Sequence, residues 1–200
     1  MFTIGLTGQT GAGKSTFAIY LKKYGFVHID TDAISREVTD EQLPKLVGRF
    51  GNGILTENGT LNRKVLAKKA FSSEENTRAL NSIMHPAIME KVAERIKKAE
   101  ENGAVGAVVD GAALIESGTI GTFDTSVCVC ASEETRKDRI IKRDNLSDED
   151  AAIRIKGQKN EEFYISNTEH AIRNDAVGDL ERQADELMKK YKFYPIRKEE

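Results

Sequence analysis

Residues 5–17 read GLTGQTGAGKSTF, a stretch with four glycines that follows a short apolar run at the start of the chain. Within it, residues 8–15 fit the pattern G-x-x-x-x-G-K-[ST] in full. Glycines allow consecutive backbone N–H groups to turn toward anionic oxygens, and the helix that follows directs its N-terminal N–H groups at the same oxygens. The stretch therefore predicts a strand, a phosphate-binding loop and a helix, and with them a site for a nucleoside triphosphate.

Two polar residues of this loop, Lys14 and Ser15, have predicted roles. The Lys14 ammonium suits the β- and γ-phosphates, and the Ser15 hydroxyl is a hard oxygen ligand for Mg²⁺. Thr16 is either a nucleotide contact or only a helix residue beside it. We predict that the residues binding ATP from this loop are Gly11, Ala12, Gly13, Lys14, Ser15 and Thr16.

The order of apolar and helical patterns predicts a parallel sheet. A helix over 15–24 ends at Gly25, and a second strand, FVHID, covers 26–30, which completes a βαβ unit. Further strands are expected at 104–110, at 123–131 and within HAIRND, residues 170–175. Helices are expected over 41–49, 63–71 and 74–83, from Pro86 to about 101, from Ser132 to about 143, over 147–167 and over 179–192.

Composition narrows the classes of partner. The 200 residues are 31% charged with a net charge of −2, a balance that argues against nucleic acid or an anionic membrane as partner. No stretch is apolar enough to span a bilayer, and the first residues lack a secretion signal, so we expect a cytoplasmic protein. Cys128 and Cys130 share one strand face and are interpreted as buried thiols, not as a metal or redox site.

The phosphate loop alone does not identify the acceptor. A GTPase would carry Asn-Lys-x-Asp for reading guanine, and the chain has none. A motor or sheet-coupled ATPase would have a strand ending in Asp-Glu, and here the strand AVVDG ends in a single carboxylate, Asp110. A small-molecule kinase needs a base, and Asp30 and Asp32 follow the second strand at the edge where phosphates bind. We expect these two carboxylates to point in different directions, so that one of them faces the site, and either of them could instead cap the next helix.

A basic segment supplies candidates for binding phosphate oxygens. Arg136, Arg139 and Arg143 lie at i, i+3 and i+7 and so share one helical face. Arginine binds phosphate oxygens through a planar fork, which suits a segment that covers a phosphoryl group in transfer. The alternative is a solvated basic face paired with the acidic residues around it.

Taken together, these motifs resemble the dephospho-coenzyme A kinase family in order over nearly the whole chain. Besides the phosphate loop, the matching stretches are HIDTDAISR (28–36), GTLNRKVLAKKAF (59–71), LNSIMHPAI (80–88), VVDGAALIESG (108–118) and ETRKDRIIKRDNLS (134–147). The resemblance implies an ATP- and Mg²⁺-dependent transfer of the γ-phosphate to the 3′-hydroxyl of dephospho-CoA, the last step of coenzyme A synthesis. A nucleotide-dependent binding protein without an acceptor, and another P-loop small-molecule, nucleoside or nucleotide kinase, are the alternatives.

The resemblance also implies a three-part molecule of P-loop type. A core (1–33, 104–135 and 168–200) would bind ATP, a helical region (34–103) would bind the acceptor, and a helical lid (136–167) would close over the phosphates. The implied catalytic residues are Asp32 as base, Lys14 and Arg139, and Arg143 is implied to bind the nucleotide. Asp32, Arg63, His85 and Glu116 are implied to bind dephospho-CoA.

Two points remain open at the acceptor site. His85 could instead cap a helix that Pro86 begins, and the family's Pro-Leu-Leu-Phe element stands here as Ala112-Ala113-Leu114-Ile115, after Gly111. The loss of proline and bulk predicts weaker discrimination or a shifted acceptor. Asp110 is expected either to hold a magnesium-bound water or to make a structural hydrogen bond, and His28 and His170 are expected to be structural or exposed.

Overall fold

The computed structural model describes residues 1–196 and has at its centre a five-stranded, fully parallel sheet. The strands are β1 (Phe2–Gly8), β2 (Phe26–Asp30), β3 (Gly106–Asp110), β4 (Thr125–Cys130) and β5 (His170–Arg173), in the order β2-β3-β1-β4-β5. The predicted α/β fold with a parallel sheet is therefore confirmed. Because all strands run in one direction, Gly8, Asp30 and Asp110 end at the same edge of the sheet.

Both faces of the sheet are covered, which explains why β3 and β4 are buried along their whole length. On one face, Ile4 and Leu6 of β1 pack with Phe17 of α1 (Lys14–Leu21) and Leu187 of α9 (Asp179–Lys190). On the other face, Cys128 and Cys130 pack with Tyr164, and their sulfur atoms are 3.8 Å apart. The interpretation of these cysteines as buried strand thiols is confirmed.

The chain divides into two compact units, and the first consists of Met1–Asp30 with the chain from Ile96 onward. Its helices are α1, a short 3-10 helix (Lys22–Tyr24) that ends at Gly25, α6 (Glu133–Asp144), α7 (Asp148–Lys156), α8 (Glu161–Ser166) and α9. The single helical stretch expected over 147–167 is wrong, because the chain leaves the helix at Gly157 and begins a new one. Asn160 caps that new helix by accepting a hydrogen bond from the N–H of Phe163.

The second unit, Thr31–Arg95, is helical. It contains α2 (Thr31–Glu41), α3 (Leu43–Phe50), a 3-10 turn (Asn52–Ile54), α4 (Arg63–Ala70) and most of α5 (Glu74–Glu101). The helix expected over 41–49 is displaced, since Gln42 separates two helices and Pro44 lies in the first turn of the second. Proline is favoured at that position because the first N–H groups of a helix have no acceptor within the helix.

The sequence at His85-Pro86 does not begin a helix. Residues 74–101 form one helix with Pro86 in its interior, so the two helices expected here are one. A proline removes one backbone hydrogen bond, and the flanking turns hold the helix together where Met84 and Val92 are buried. The alternative in which His85 caps a helix that starts at Pro86 is therefore wrong.

No helix within residues 1–196 is long and apolar enough to cross a bilayer. The last four residues of the predicted core, 197–200, lie outside the described residues. The boundaries of the core, acceptor region and lid stay predictions.

Candidate functional site

The phosphate loop connects the end of β1 at Gly8 to the start of α1 at Lys14. Gly11 and Gly13 have φ values of 78° and 109°, which side chains other than that of glycine rarely adopt. A Cβ at Gly11 would lie 2.7 Å from the carbonyl oxygen of Arg136, and one at Gly13 would lie 2.2 Å from Nδ2 of Asn174. The backbone is thus left-handed at both positions and is closely packed against other parts of the protein. The N-cap of α1 is Gly13, which has no side chain to cap the helix.

Lys14 folds back over the loop. Its Nζ donates to the carbonyl oxygens of Gly8 at 2.9 Å and of Gln9 at 3.3 Å. The N-terminus of α1 and this ammonium group therefore lie together, and both favour negative charge.

Ser15 and Asp110 bring two oxygen donors together beside the loop. The Ser15 hydroxyl lies 3.4 Å from Oδ2 of Asp110, which ends β3, and His28 Nε2 lies 3.4 Å from the same oxygen. Hydroxyl and carboxylate oxygens are ligands that Mg²⁺ prefers. Within residues 1–196 no group of three or more His, Cys, Asp or Glu side chains could hold a metal ion. The Ser15 hydroxyl and the Asp110 carboxylate are thus the residues here whose chemistry fits a Mg²⁺ ion.

The three arginines of α6 share a face, as their spacing predicts, but have different surroundings. Arg139 donates from Nη1 to the carbonyl oxygens of Gly11 (3.4 Å) and Ala12 (3.3 Å) and from Nη2 to that of Asn174 (3.0 Å). Arg143 is exposed and pairs with the carboxylate of Asp144. The solvated-face interpretation thus fits Arg143 and is wrong for Arg139, which lies against the phosphate loop.

Arg136 is buried, and its Nε donates to the carbonyl oxygen of Ala131 at 3.2 Å. Its Nη1 is buried without a hydrogen-bond partner among the described residues. The solvated-face interpretation is therefore wrong for Arg136 too.

Three hydrogen bonds of the phosphate loop were not predicted from the sequence. Gln158 Oε1 accepts the N–H of Thr10 at 2.9 Å, and Gln9 Nε2 donates to the carbonyl oxygen of Lys159 at 3.0 Å. Asn174, which is buried directly after β5, donates from Nδ2 to the carbonyl oxygen of Ala12 at 2.7 Å. The position of Asn174 at the carboxyl end of a strand was a usable signal, because this is the edge at which the loop lies.

A cavity of about 250 Å³ opens beside the loop. Its lining combines apolar and polar groups from α1, α6 and the chain after β5, as is typical of small-molecule sites. Its lining includes Thr16, Tyr20, Arg139, Asn174 and Val177.

The segment after β3, where the sequence predicts part of the acceptor site, is a turn. Residues 112–118 form consecutive turns after β3, with Ala112, Ala113 and Glu116 exposed and Leu114 buried. Glu116 is therefore not a helix residue, and Ala112 and Ala113 present only small side chains at the surface.

The other predicted site residues belong to the second unit. Asp32 lies in the first turn of α2, whereas Asp30 is the last residue of β2, so the two carboxylates belong to different elements. Arg63, at the start of α4, donates from Nη2 to the carbonyl oxygen of Arg36 (3.1 Å) and contacts Oδ1 of Asp40 (3.4 Å).

His85 is half-buried inside α5. Burial disfavours the charged imidazolium and lowers the pKa of His85 from its ordinary value. In a neutral imidazole one ring nitrogen donates a hydrogen bond and the other accepts one. Both kinds of contact suit the polar groups of a bound substrate.

Comparison with known proteins adds a family to this geometry. The model of the dephospho-CoA kinase family matches residues 2–179. A dephospho-CoA kinase of Corynebacterium efficiens is 42% identical over 192 residues, which cover 94% of this chain and 96% of that protein.

Solved structures agree on the fold. A crystal structure from Thermus thermophilus has a TM-score of 0.81 at 28% identity and covers 96% of this chain and 98% of that one. A dephospho-CoA kinase from Campylobacter jejuni has a TM-score of 0.66 at 24% identity over 94% of this chain and 96% of that one, a likeness of fold alone. With a family match over residues 2–179, the chain belongs to the dephospho-CoA kinase family.

Proposed function

We propose that this protein transfers the γ-phosphate of ATP to the 3′-hydroxyl of dephospho-CoA, giving coenzyme A and ADP in the cytoplasm. The observation that carries the proposal is the 42% identity to a dephospho-CoA kinase over 94% of the chain. The phosphate loop, with Lys14 against its carbonyl groups and Arg139 against Gly11 and Ala12, supports the kinase chemistry.

The nucleotide would be held by the loop from Gly11 to Thr16, with its base in the 250 Å³ cavity. Ser15, with Asp110 through a water molecule, would hold Mg²⁺, which when bound neutralises charge on the phosphates. Lys14 and Arg139 would offset the charge on the transferring phosphoryl group, and Arg143 would bind the nucleotide phosphates.

On the acceptor side, Asp32 would accept the proton of the attacking 3′-hydroxyl, the role of a general base. Arg63, His85 and Glu116 would bind dephospho-CoA together with Asp32. A helical lid containing α6 to α8 would exclude water from the phosphates, because water would otherwise compete as acceptor.

One observation favours a second candidate function, a kinase of the same fold with another acceptor. Ala112 and Ala113 are exposed small residues at the position of the family's acceptor element. A more open acceptor site would admit related nucleosides or nucleotides, which makes the choice of acceptor the property to test.

The test measures ADP release from Mg-ATP with dephospho-CoA, AMP, a nucleoside and shikimate as separate acceptors. Coenzyme A is the matched control, because its 3′-hydroxyl is already phosphorylated. We expect acceleration by dephospho-CoA alone, with coenzyme A as the product detected by mass. Acceleration by coenzyme A as well would mean hydrolysis or another acceptor group, and acceleration by another acceptor only would support the second candidate.

A further inference from the structure

The imidazole of His28 and the hydroxyl of Ser15 converge on one carboxylate oxygen. Oδ2 of Asp110 lies 3.4 Å from each of them. The register of the sheet explains the contact, because Asp30 is paired with Asp110 and His28 with Val108. His28 and Asp110 are therefore diagonal neighbours on one face of β2 and β3, a spacing that long side chains bridge.

The burial of this pair makes its hydrogen bonds important. The Asp110 side chain is 9% exposed and the His28 side chain 20% exposed. A carboxylate with so little access to water needs hydrogen-bond donors from the protein, and these donors define its orientation.

The chemistry of the three groups fixes the direction of both contacts. An ionised carboxylate only accepts hydrogen bonds, so His28 must present a protonated Nε2, and the Ser15 hydroxyl must donate. Ser15 can donate its proton to Asp110 and still offer an oxygen lone pair to a cation. His28 and Ser15 thus donate to the same oxygen, Oδ2, and both contacts favour one orientation of the Asp110 carboxylate.

We propose that His28 is a positioning residue that holds the Asp110 carboxylate toward Ser15 and toward a water molecule of hydrated Mg²⁺. The inference rests on the Mg²⁺ site of the proposed function. His28 acts through Asp110 and touches neither nucleotide nor metal. Groups that orient metal-binding side chains change metal affinity when they are lost.

The test measures ADP binding by calorimetry, with EDTA and with Mg²⁺, in the wild type, His28→Val and His28→Gln. Valine removes both ring nitrogens and keeps a residue favoured in strands, and glutamine retains an N–H donor. The Mg²⁺-linked tightening of ADP binding is the readout, and it needs no turnover. We expect His28→Val to lower this tightening about tenfold, with binding in EDTA unchanged, and His28→Gln to restore most of it.

His170→Gln is the matched control, since it removes a partly buried strand histidine that contacts Tyr191 and not Asp110. It should leave the tightening unchanged. If the wild type shows no Mg²⁺-linked tightening, the Mg²⁺ site of the proposed function fails.

If the wild type shows tightening and folded His28→Val keeps it in full, the role of His28 alone is overturned. Equal weakening in EDTA and in Mg²⁺, or a glutamine variant as weak as the valine one, would also overturn it. Either result would mean that His28 only packs against its neighbours.

Discussion

The side-chain amide of Asn174 lies directly against the backbone of Gly13. Its Nδ2 donates to the carbonyl oxygen of Ala12 at 2.7 Å, and a Cβ on Gly13 would approach that nitrogen to 2.2 Å. Asn174 therefore holds the last turn of the phosphate loop in place, and it leaves room only for glycine at position 13, directly before α1.

Gly13→Ala should weaken both folding and nucleotide binding. The φ of 109° strains an alanine by about 1–3 kcal/mol, and the contact with Asn174 must also be displaced. We expect a lower free energy of unfolding in urea and a loss of ADP binding by calorimetry.

Gly103→Ala is the matched control for backbone strain. Gly103 has a φ of 80°, and no other atom of residues 1–196 would lie within 4 Å of a Cβ there, so its variant carries the strain without the collision. Equal losses of stability in the two variants would show that the Asn174 contact does not restrict position 13.

Arg139→Lys should reduce turnover although the positive charge is kept. The guanidinium reaches the carbonyl oxygens of Ala12 and Asn174 with separate nitrogens, and an ammonium group cannot reproduce this fork. We expect kcat to fall about 100-fold, the scale for losing one donor to a transition state.

Arg143→Lys is the comparison variant in the same helix, because Arg143 pairs at the surface with Asp144. Its effect on kcat should be much smaller than that of Arg139→Lys. A larger loss with Arg143→Lys would mean that Arg143, and not Arg139, carries the transition-state contact.

The parts of this molecule that could be predicted from the sequence are those set by local pattern. The observed bounds of β2 agree with the prediction, because Gly25 ends the preceding helix and the apolar run after it ends at Asp30. The phosphate loop is recognised by its own sequence pattern. The helix through Pro86 was not predicted, because packing around Met84 and Val92 outweighs the local preference of proline.

Contacts between distant residues account for the rest of what was missed. The spacing of Arg136 and Arg139 predicts that they share a helical face. It does not predict that Arg136 is buried or that Arg139 lies on the phosphate loop. Asn174 is 162 positions from Ala12, and only the strand order brings β5 to the edge where the loop lies.

Asp32→Asn should keep ATP binding and lose most turnover, since asparagine cannot accept the proton of the attacking hydroxyl. General-base catalysis contributes about 10²–10⁴-fold, and we expect a fall of that size in kcat. Binding of ADP by calorimetry and CoA formation in single turnover measure the two effects separately.

Asp30→Asn is the matched comparison, with the same chemical change two residues earlier at the end of β2. It should retain more activity than Asp32→Asn. If Asp32→Asn turns over normally and Asp30→Asn does not, the base is Asp30.

His170 should make the stability of the protein depend on pH. Its Nε2 lies 2.9 Å from the Tyr191 hydroxyl, which donates to Thr125 Oγ1, which in turn donates to Glu169. Burial, and then the nearby Lys190 ammonium, lower the pKa of His170 from its ordinary value of 6.5. A histidine with a lowered pKa contributes stability above the pKa of the unfolded chain, and this stability is lost as pH falls through the folded value.

We therefore expect the free energy of unfolding to fall as pH drops below 6.5. His170→Gln should flatten part of this slope, because the unfolded chain then binds one proton fewer. Urea titrations from about pH 8 to about pH 5 measure the slope. His85→Gln is the parallel variant, since burial lowers the pKa of His85 in the same direction. A slope in His170→Gln as steep as in the wild type would show that His170 does not contribute, and that His85 or the carboxylates set the pH dependence.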